Sequence, residues 1–168
     1  MTGHALIRPE DPADTDAIHD LTARAFAPMA FSDGSEPQII RRLRARGQLV
    51  LSLVATDASG RIIGHVAFSE VTLPCCTRWL GLGPIAVDPA LQRRGTGRAL
   101  VQDALPRLRA LGWNGIALIG NPAVYAPMGF VSHGLLTHGD LPPALVQHMT
   151  LSGPDPQGTV QFASAFDV

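Results

Sequence analysis

The chain has 168 residues, 46% hydrophobic and 16% charged, with a formal net charge of −1; this is the composition of a soluble globular domain long enough to bury one core. The near-neutral balance argues against a sequence-independent nucleic-acid binder, which needs a basic surface. All 13 basic residues are Arg, which excludes a Walker-type phosphate loop and a catalytic Lys.

In chain order, residues 5–9 read as a short strand ended by Pro9. Asp14 or Thr15 then caps a helix with Ile18, Leu21 and Ala25 on one face, stopped by Ala27-Pro28. Ser35-x-x-Gln38 has the capping-box pattern for a second helix, which buries Ile39, Ile40 and Leu43 and ends at Gly47. Arg41, Arg42, Arg44 and Arg46 cluster on that helix. Their ordinary reading is a solvated face; their functional reading is a docking surface for an acidic substrate, a protein or an RNA. Strands follow at 49–55 and 61–73, joined by the turn Asp57-Ala-Ser-Gly60. Alternation puts Val66, Phe68 and Glu70 on one side of the second strand and His65, Ala67 and Ser69 on the other.

Cys75 and Cys76 fall in the loop after Pro74 and are the only two cysteines. Neighbouring thiols close no useful loop and two alone make no metal site, so they read as incidental residues of a reduced, cytoplasmic protein. Residues 79–87 form the next strand, in which Pro84 removes a ladder donor and predicts a bulge or an unpaired place. A helix opening at Gly95 carries Leu100, Ala104, Leu108 and Leu111 as one stripe, with Val101 and Leu105 beside it; Pro106 inside it predicts a kink. Residues 115–120 read as a strand, 122–128 as a short helix, and 130–133, 146–151 and 159–166 as further strands. No run reaches the roughly 18 apolar residues of a membrane span, and no secretory leader is visible. Residues 1–168 therefore read as one domain.

The stretch from Leu82 to Leu111 organises the rest. An apolar strand end, Ile85-Ala86-Val87, feeds a polar loop and then Gly95-Thr96-Gly97 at the start of a helix. A glycine-rich turn at a helix N-terminus gathers free N–H groups and the positive end of the helix dipole, which together favour a phosphate. Downstream lies Asn121-Pro-Ala-Val-Tyr125-Ala-Pro-Met-Gly129-Phe130.

Gln92-Arg93-Arg94-Gly95-Thr96-Gly97 resembles the pyrophosphate loop of the GNAT superfamily of N-acetyltransferases. The segment from Asn121 to Phe130 resembles the later motif of the same superfamily. The two occur in the family's order, and the resemblance is good from about Leu82 to Phe130. It implies an α/β (α+β) fold with a central mixed, mostly antiparallel sheet of six to seven strands, helices on both faces and a splayed central strand pair. It implies acetyl-CoA as co-substrate, held by Gln92, Arg93, Arg94, Gly95, Thr96, Gly97 and Arg98 at the diphosphate. Backbone groups of Ile85, Ala86 and Val87 would hold the pantetheine, with Asn121 and Tyr125 at the thiol end. It also implies transfer to a primary amine, of a small molecule or of an aminoacyl or peptide terminus, by direct attack in a ternary complex. A homodimer is common among similar proteins.

Acetyl transfer needs a held thioester, a neutral amine and a protonated leaving thiol. Tyr125 is the only Tyr; a phenol of pKa near ~10 can protonate a thiolate whose thiol has pKa near ~8.5. Asn121 binds the pantetheine or caps the short helix. Glu70, ending a strand beside the central one, is the candidate base. His65, His133 and His138 are alternatives, and a water chain can replace them all; Asp88 reads as a turn residue. No His-x-x-x-His, paired Cys-x-x-Cys or Asp-rich loop occurs, so no metal is expected. Gly81-Leu-Gly83-Pro-Ile-Ala86 fits the dinucleotide fingerprint formally but leads into a strand rather than a helix. The alternative from another class is a non-catalytic acyl-CoA-binding or regulatory domain.

Overall fold

The computed structural model describes residues 5–167. Six strands form one sheet in the order β1-β2-β3-β4-β5-β7. They are β1 (Leu6–Pro9), β2 (Leu49–Thr56), β3 (Ile62–Val71), β4 (Trp79–Val87), β5 (Gly115–Ile119) and β7 (Val146–Thr150). All neighbours are antiparallel except β4 and β5, which run parallel. That parallel pair needs a crossover connection, which α3 (Thr96–Ala110) supplies.

α3 covers one face. Its Leu100, Val101, Ala104 and Leu108 are buried with Val66, Phe68, Leu80, Leu82 and Ile116. The other face carries α1 (Thr15–Phe26) and α2 (Glu36–Ala45). There Ile18, Leu21, Ala25 and Ile40 pack with Val54 and Ala86, and Ile39 and Leu43 pack with Ala67 and Ala165. The α3 stripe ends one residue group early: Leu111 is 55% exposed at the C-cap, beyond the last buried turn. Arg78 takes over at that end, its guanidinium donating to the Leu111 and Gly112 carbonyls and lying over Trp113. Pro106 is contained within α3, which spans both sides of it.

Several local expectations change. Ser35 makes no capping bond; Ser32 donates to Glu36 instead, so the loop before α2 is closed by another hydroxyl. Asp14 turns back rather than forward, accepting from the Asp11 amide and from Arg8. Residues 130–133 form only the single bridge Val131–His148. Of residues 159–166 only the start is a strand: β8 (Gly158–Thr159) pairs with β6 (Leu136–Thr137) in a parallel two-stranded piece. Gln161 then bridges Thr72, and residues 164–166 turn into a 3-10 helix. Leu136 of β6 and Val160, just after β8, cover the sheet at Val71, Trp79 and Ala117. Cys75 and Cys76 are bonded to each other rather than free.

The Arg cluster is largely engaged. Arg44 pairs with Glu10, Arg41 lies 3.8 Å from Asp16, and Arg46 donates to Ser164. These contacts tie α2 to its neighbours. Among the described residues no helix is long and apolar enough to cross a membrane.

Gly115 is fixed by packing: a methyl group there would overlap the Trp79 ring, which is 1% exposed. Gly115→Ala should lower stability by about 2 kcal/mol or more, read as a drop in the urea midpoint; an unchanged midpoint would mean the β4–β5 contact is looser than described.

Candidate active site

The site is set by a strand that loses a neighbour. β4 pairs with β5 only at Trp79, Leu80 and Gly81. Its other edge stays paired with β3 through Val87, apart from a register shift opposite Leu82–Ile85, where Gly83-Pro84 is passed over. The shift is the bulge that Pro84 predicted. From Leu82 onward β4 therefore faces a cleft on its β5 side, and its backbone groups there have no strand to bond. Ile85, Ala86 and Val87 line the stretch next to the loop.

That loop is held from below. Asp88, 5% exposed, accepts from the Ala90 amide and pairs with Arg61, with Arg24 3.6 Å away. Gln92 donates its side-chain amide to the Val87 carbonyl at 3.2 Å, folding the loop back on its own strand. Arg93 and Gly95 have φ of 64° and 86°, the left-handed conformation that glycine adopts without a Cβ penalty. The first bond of α3 runs from the Ala99 amide to the Gly95 carbonyl at 2.9 Å. The amides of Thr96, Gly97 and Arg98 are left without an i−4 carbonyl. Gly97 is loosely surrounded: the nearest atoms a Cβ there would meet are on Ile85, Val87 and Met128, at 3.8–4.0 Å. Arg93, Arg94 and Arg98 are exposed around this end. Unpaired amides, the positive helix end and three guanidinium groups make an anion site.

Asn121 caps α4 (Pro122–Tyr125), its Oδ1 accepting from Ala123 at 3.0 Å. The capping reading thus accounts for its oxygen and leaves its NH2 group uncommitted. The Tyr125 ring stands edge-on to Phe130 and packs on Gly120. Burial pushes its phenol above the ordinary value, so it stays protonated. Among the described residues its hydroxyl makes no hydrogen bond.

Glu70 is exposed and pairs across the sheet with Leu80. It lines a cavity of about 400 Å³ with Gln48, Thr72, Gln161, Phe162 and Ser164. Phe162 lies against Gly81, the last β4 residue paired with β5. Tyr125 sits beside Gly120, four residues beyond Ile116, the partner of Leu80; that is roughly 13 Å along the strand at 3.3 Å per residue. Glu70 and Tyr125 thus flank opposite ends of the β4–β5 opening rather than touching. Gln48, Gln161, Phe162 and Ser164 escaped the sequence reading because a chain reversal brings residues 161–164 to β3, and no local pattern encodes it.

The alternative bases are otherwise engaged. His65 is fully buried, with Nε2 2.8 Å from Ser52 Oγ. His138 donates through Nδ1 to the Val160 carbonyl at 2.8 Å. His133 lies beside His148, in the segment past α4.

The chain is similar to known acetyltransferases in sequence and in fold. The Acetyltransferase (GNAT) family profile matches residues 15–130. The uncharacterized N-acetyltransferase YhbS of Escherichia coli K12 is 38% identical over 137 residues, covering 81% of this chain and 77% of its own. The crystal structure of a GNAT family acetyltransferase from Brucella melitensis in complex with acetyl-CoA aligns with a TM-score of 0.85 at 37% identity, over 98% of this chain and 99% of that one. The Escherichia coli YhbS structure in complex with CoA gives 0.89 at 32% identity, over 98% and 93%. The protein is a member of the GNAT family of acetyltransferases.

Burial fixes a pH response. His65 is driven from 6.5 down to about 3, first by desolvation and then by the Arg44 charge. Its unfolded form takes up a proton below about pH 6.5 that the folded form refuses, so stability is lost as the pH is lowered from about 6.5 toward about 3. The Arg8 hydrogen bond lowers the Asp14 carboxyl; that contribution is present above the unfolded value and is lost at lower pH, with the same sign. Unfolding free energy should therefore drop from pH 7 to pH 4.5, and His65→Gln should flatten the slope by up to about 1.4 kcal/mol per pH unit. Equal slopes for both proteins would contradict the buried neutral imidazole.

Proposed function

We propose that this protein transfers an acetyl group from acetyl-CoA to a primary amine by direct attack in a ternary complex, and that residues 1–168 form one N-acetyltransferase domain. The carrying observation is the β4 edge left free beyond Gly81, which runs toward the α3 N-terminus, with Tyr125 packed on Gly120 just past β5 across the opening. The relatives solved with acetyl-CoA and CoA support the ligand.

The site fits that ligand by chemistry. The amides of Thr96, Gly97 and Arg98, with the side chains of Arg93, Arg94 and Arg98, hold the diphosphate; Gln92 and Gly95 shape the turn. The free backbone of Ile85, Ala86 and Val87 takes the pantetheine amides as a partner strand would, and Asn121 offers its NH2 group at the far wall. Bound acetyl-CoA supplies the activated acetyl thioester. The cavity at Glu70 receives the acceptor, a small amine or an aminoacyl or peptide terminus. Among the described residues Glu70 is its one ionisable lining residue, and it accepts the proton that the amine must lose, directly or through water. The amine nitrogen bonds to the acyl carbon, the carbon–sulfur bond breaks, and Tyr125 gives its proton to the departing sulfur. A protonated phenol suits that task, since burial keeps it neutral.

The test is free-thiol release from acetyl-CoA across a panel of amines. Tyr125→Phe should lower kcat by about 100-fold or more while leaving acetyl-CoA affinity nearly unchanged. Gly120→Ala should act in the same direction, because its methyl would come within 2.5 Å of the Tyr125 ring and displace it. Full turnover by Tyr125→Phe would remove the acid role. Tight binding without thiol release across the panel would favour a non-catalytic acyl-CoA-binding domain.

A further inference from the structure

At the β7 edge of the sheet, three side chains from separate segments converge on a point that the transfer chemistry does not use. His148, in β7, is 2% exposed, sits opposite Ala117 and stands edge-on to Trp79. His133 follows the Val131–His148 bridge, with its ring centroid 5.4 Å from that of His148. Asp155 lies in the turn after β7, with Oδ1 3.8 Å from His148 Nε2. One donor atom from each of the three lies within 4.8 Å of the others.

His148 is the unusual member. Its Nδ1 is buried without a partner, and 3.8 Å to Asp155 exceeds a hydrogen bond, so among the described residues neither ring nitrogen is hydrogen-bonded. A buried imidazole is costly to leave in that state. Asp155, by contrast, is already oriented: the Thr150 hydroxyl donates to its Oδ1 at 2.7 Å, the kind of outer contact that fixes a ligating carboxylate.

We propose that His133, His148 and Asp155 bind a first-row divalent cation of the zinc type, with a fourth position open to water. Imidazole and carboxylate are the donors such ions take. Two donors each about 2.1 Å from a tetrahedral ion stand roughly 3.4 Å apart, so the cluster must contract by somewhat over 1 Å. His148 is held by the core, while His133 and Asp155 are exposed and can close on it. Positions 133, 148 and 155 match no local ligand motif; only the Val131–His148 bridge and the turn after β7 bring them together. The ion would clip the segment that follows α4 onto the sheet edge.

The experiment titrates Zn²⁺ into tag-free, chelator-treated protein by calorimetry, in a Cys75→Ser/Cys76→Ser background, so that reduction of the bonded pair cannot expose metal-binding thiols. One equivalent should bind, and His133→Ala and Asp155→Ala should each weaken it at least about tenfold; both positions are exposed, so both variants keep the fold. In the parent, the imidazole resonances of His133 and His148 should shift on Zn²⁺ addition, and the melting temperature should rise. No heat, or heat retained at full affinity in both variants, would overturn the site.

Discussion

Backbone polar groups must find partners, and the strand at the centre of this sheet gives up one of its own. β4 is bonded on both edges only as far as Gly81; beyond that its β5 side opens while its β3 side stays paired. Open backbone along a well-supported strand is a template for a ligand that bonds as a strand does. The bulge at Gly83-Pro84, the loop folded back by Gln92 and the helix that begins at Thr96 all sit at or above that opening. The core holds it apart: α3 presses on one face through Leu100 and Ala104, and α1 presses on the other against Ala86.

Electrostatics at the two ends of the opening differ in kind. At the loop, the negative charges serve structure: Asp88 is consumed by Arg61 and by the Ala90 amide. The positive groups, amides and arginines, are left outward for an anion. At the opposite end, among the described residues the cavity wall is uncharged except for Glu70. Such a polarity fits the proposed pairing of a diphosphate-bearing donor with an amine acceptor that gives up a proton. His65 shows that a titratable residue in the sheet interior is not thereby a catalyst, since burial holds it neutral across the working range.

Much of this was legible in the residues, for physical reasons. Periodicity found α1, α2 and α3 because each buries one continuous stripe, and alternation placed Glu70 and His65 on opposite faces of β3. Gly95 was readable because a helix start with φ of 86° restricts the residue. Pro84 was readable because it lacks a donor. Tertiary contacts hid the remainder. Residues 159–166 have strand-like composition, yet the chain takes a single bridge to Thr72 and then turns, because its role is to cover β3 and wall the cavity. Leu111 continued the α3 stripe in sequence but fell beyond the last packed turn. Ser35 carried a capping pattern but makes no capping bond, while Ser32 ties the preceding loop to the Glu36 side chain from a position no pattern distinguishes.

The account stands on the amides at the start of α3 gripping a diphosphate. Titrating ¹⁵N-labelled protein with coenzyme A, while following each backbone resonance, reads that contact directly. The amides of Thr96, Gly97 and Arg98 should shift together and saturate with the same affinity as those of Ile85–Val87. If the protein saturates with coenzyme A while those three amides stay unmoved, the ligand lies elsewhere and the site described here is not where it binds.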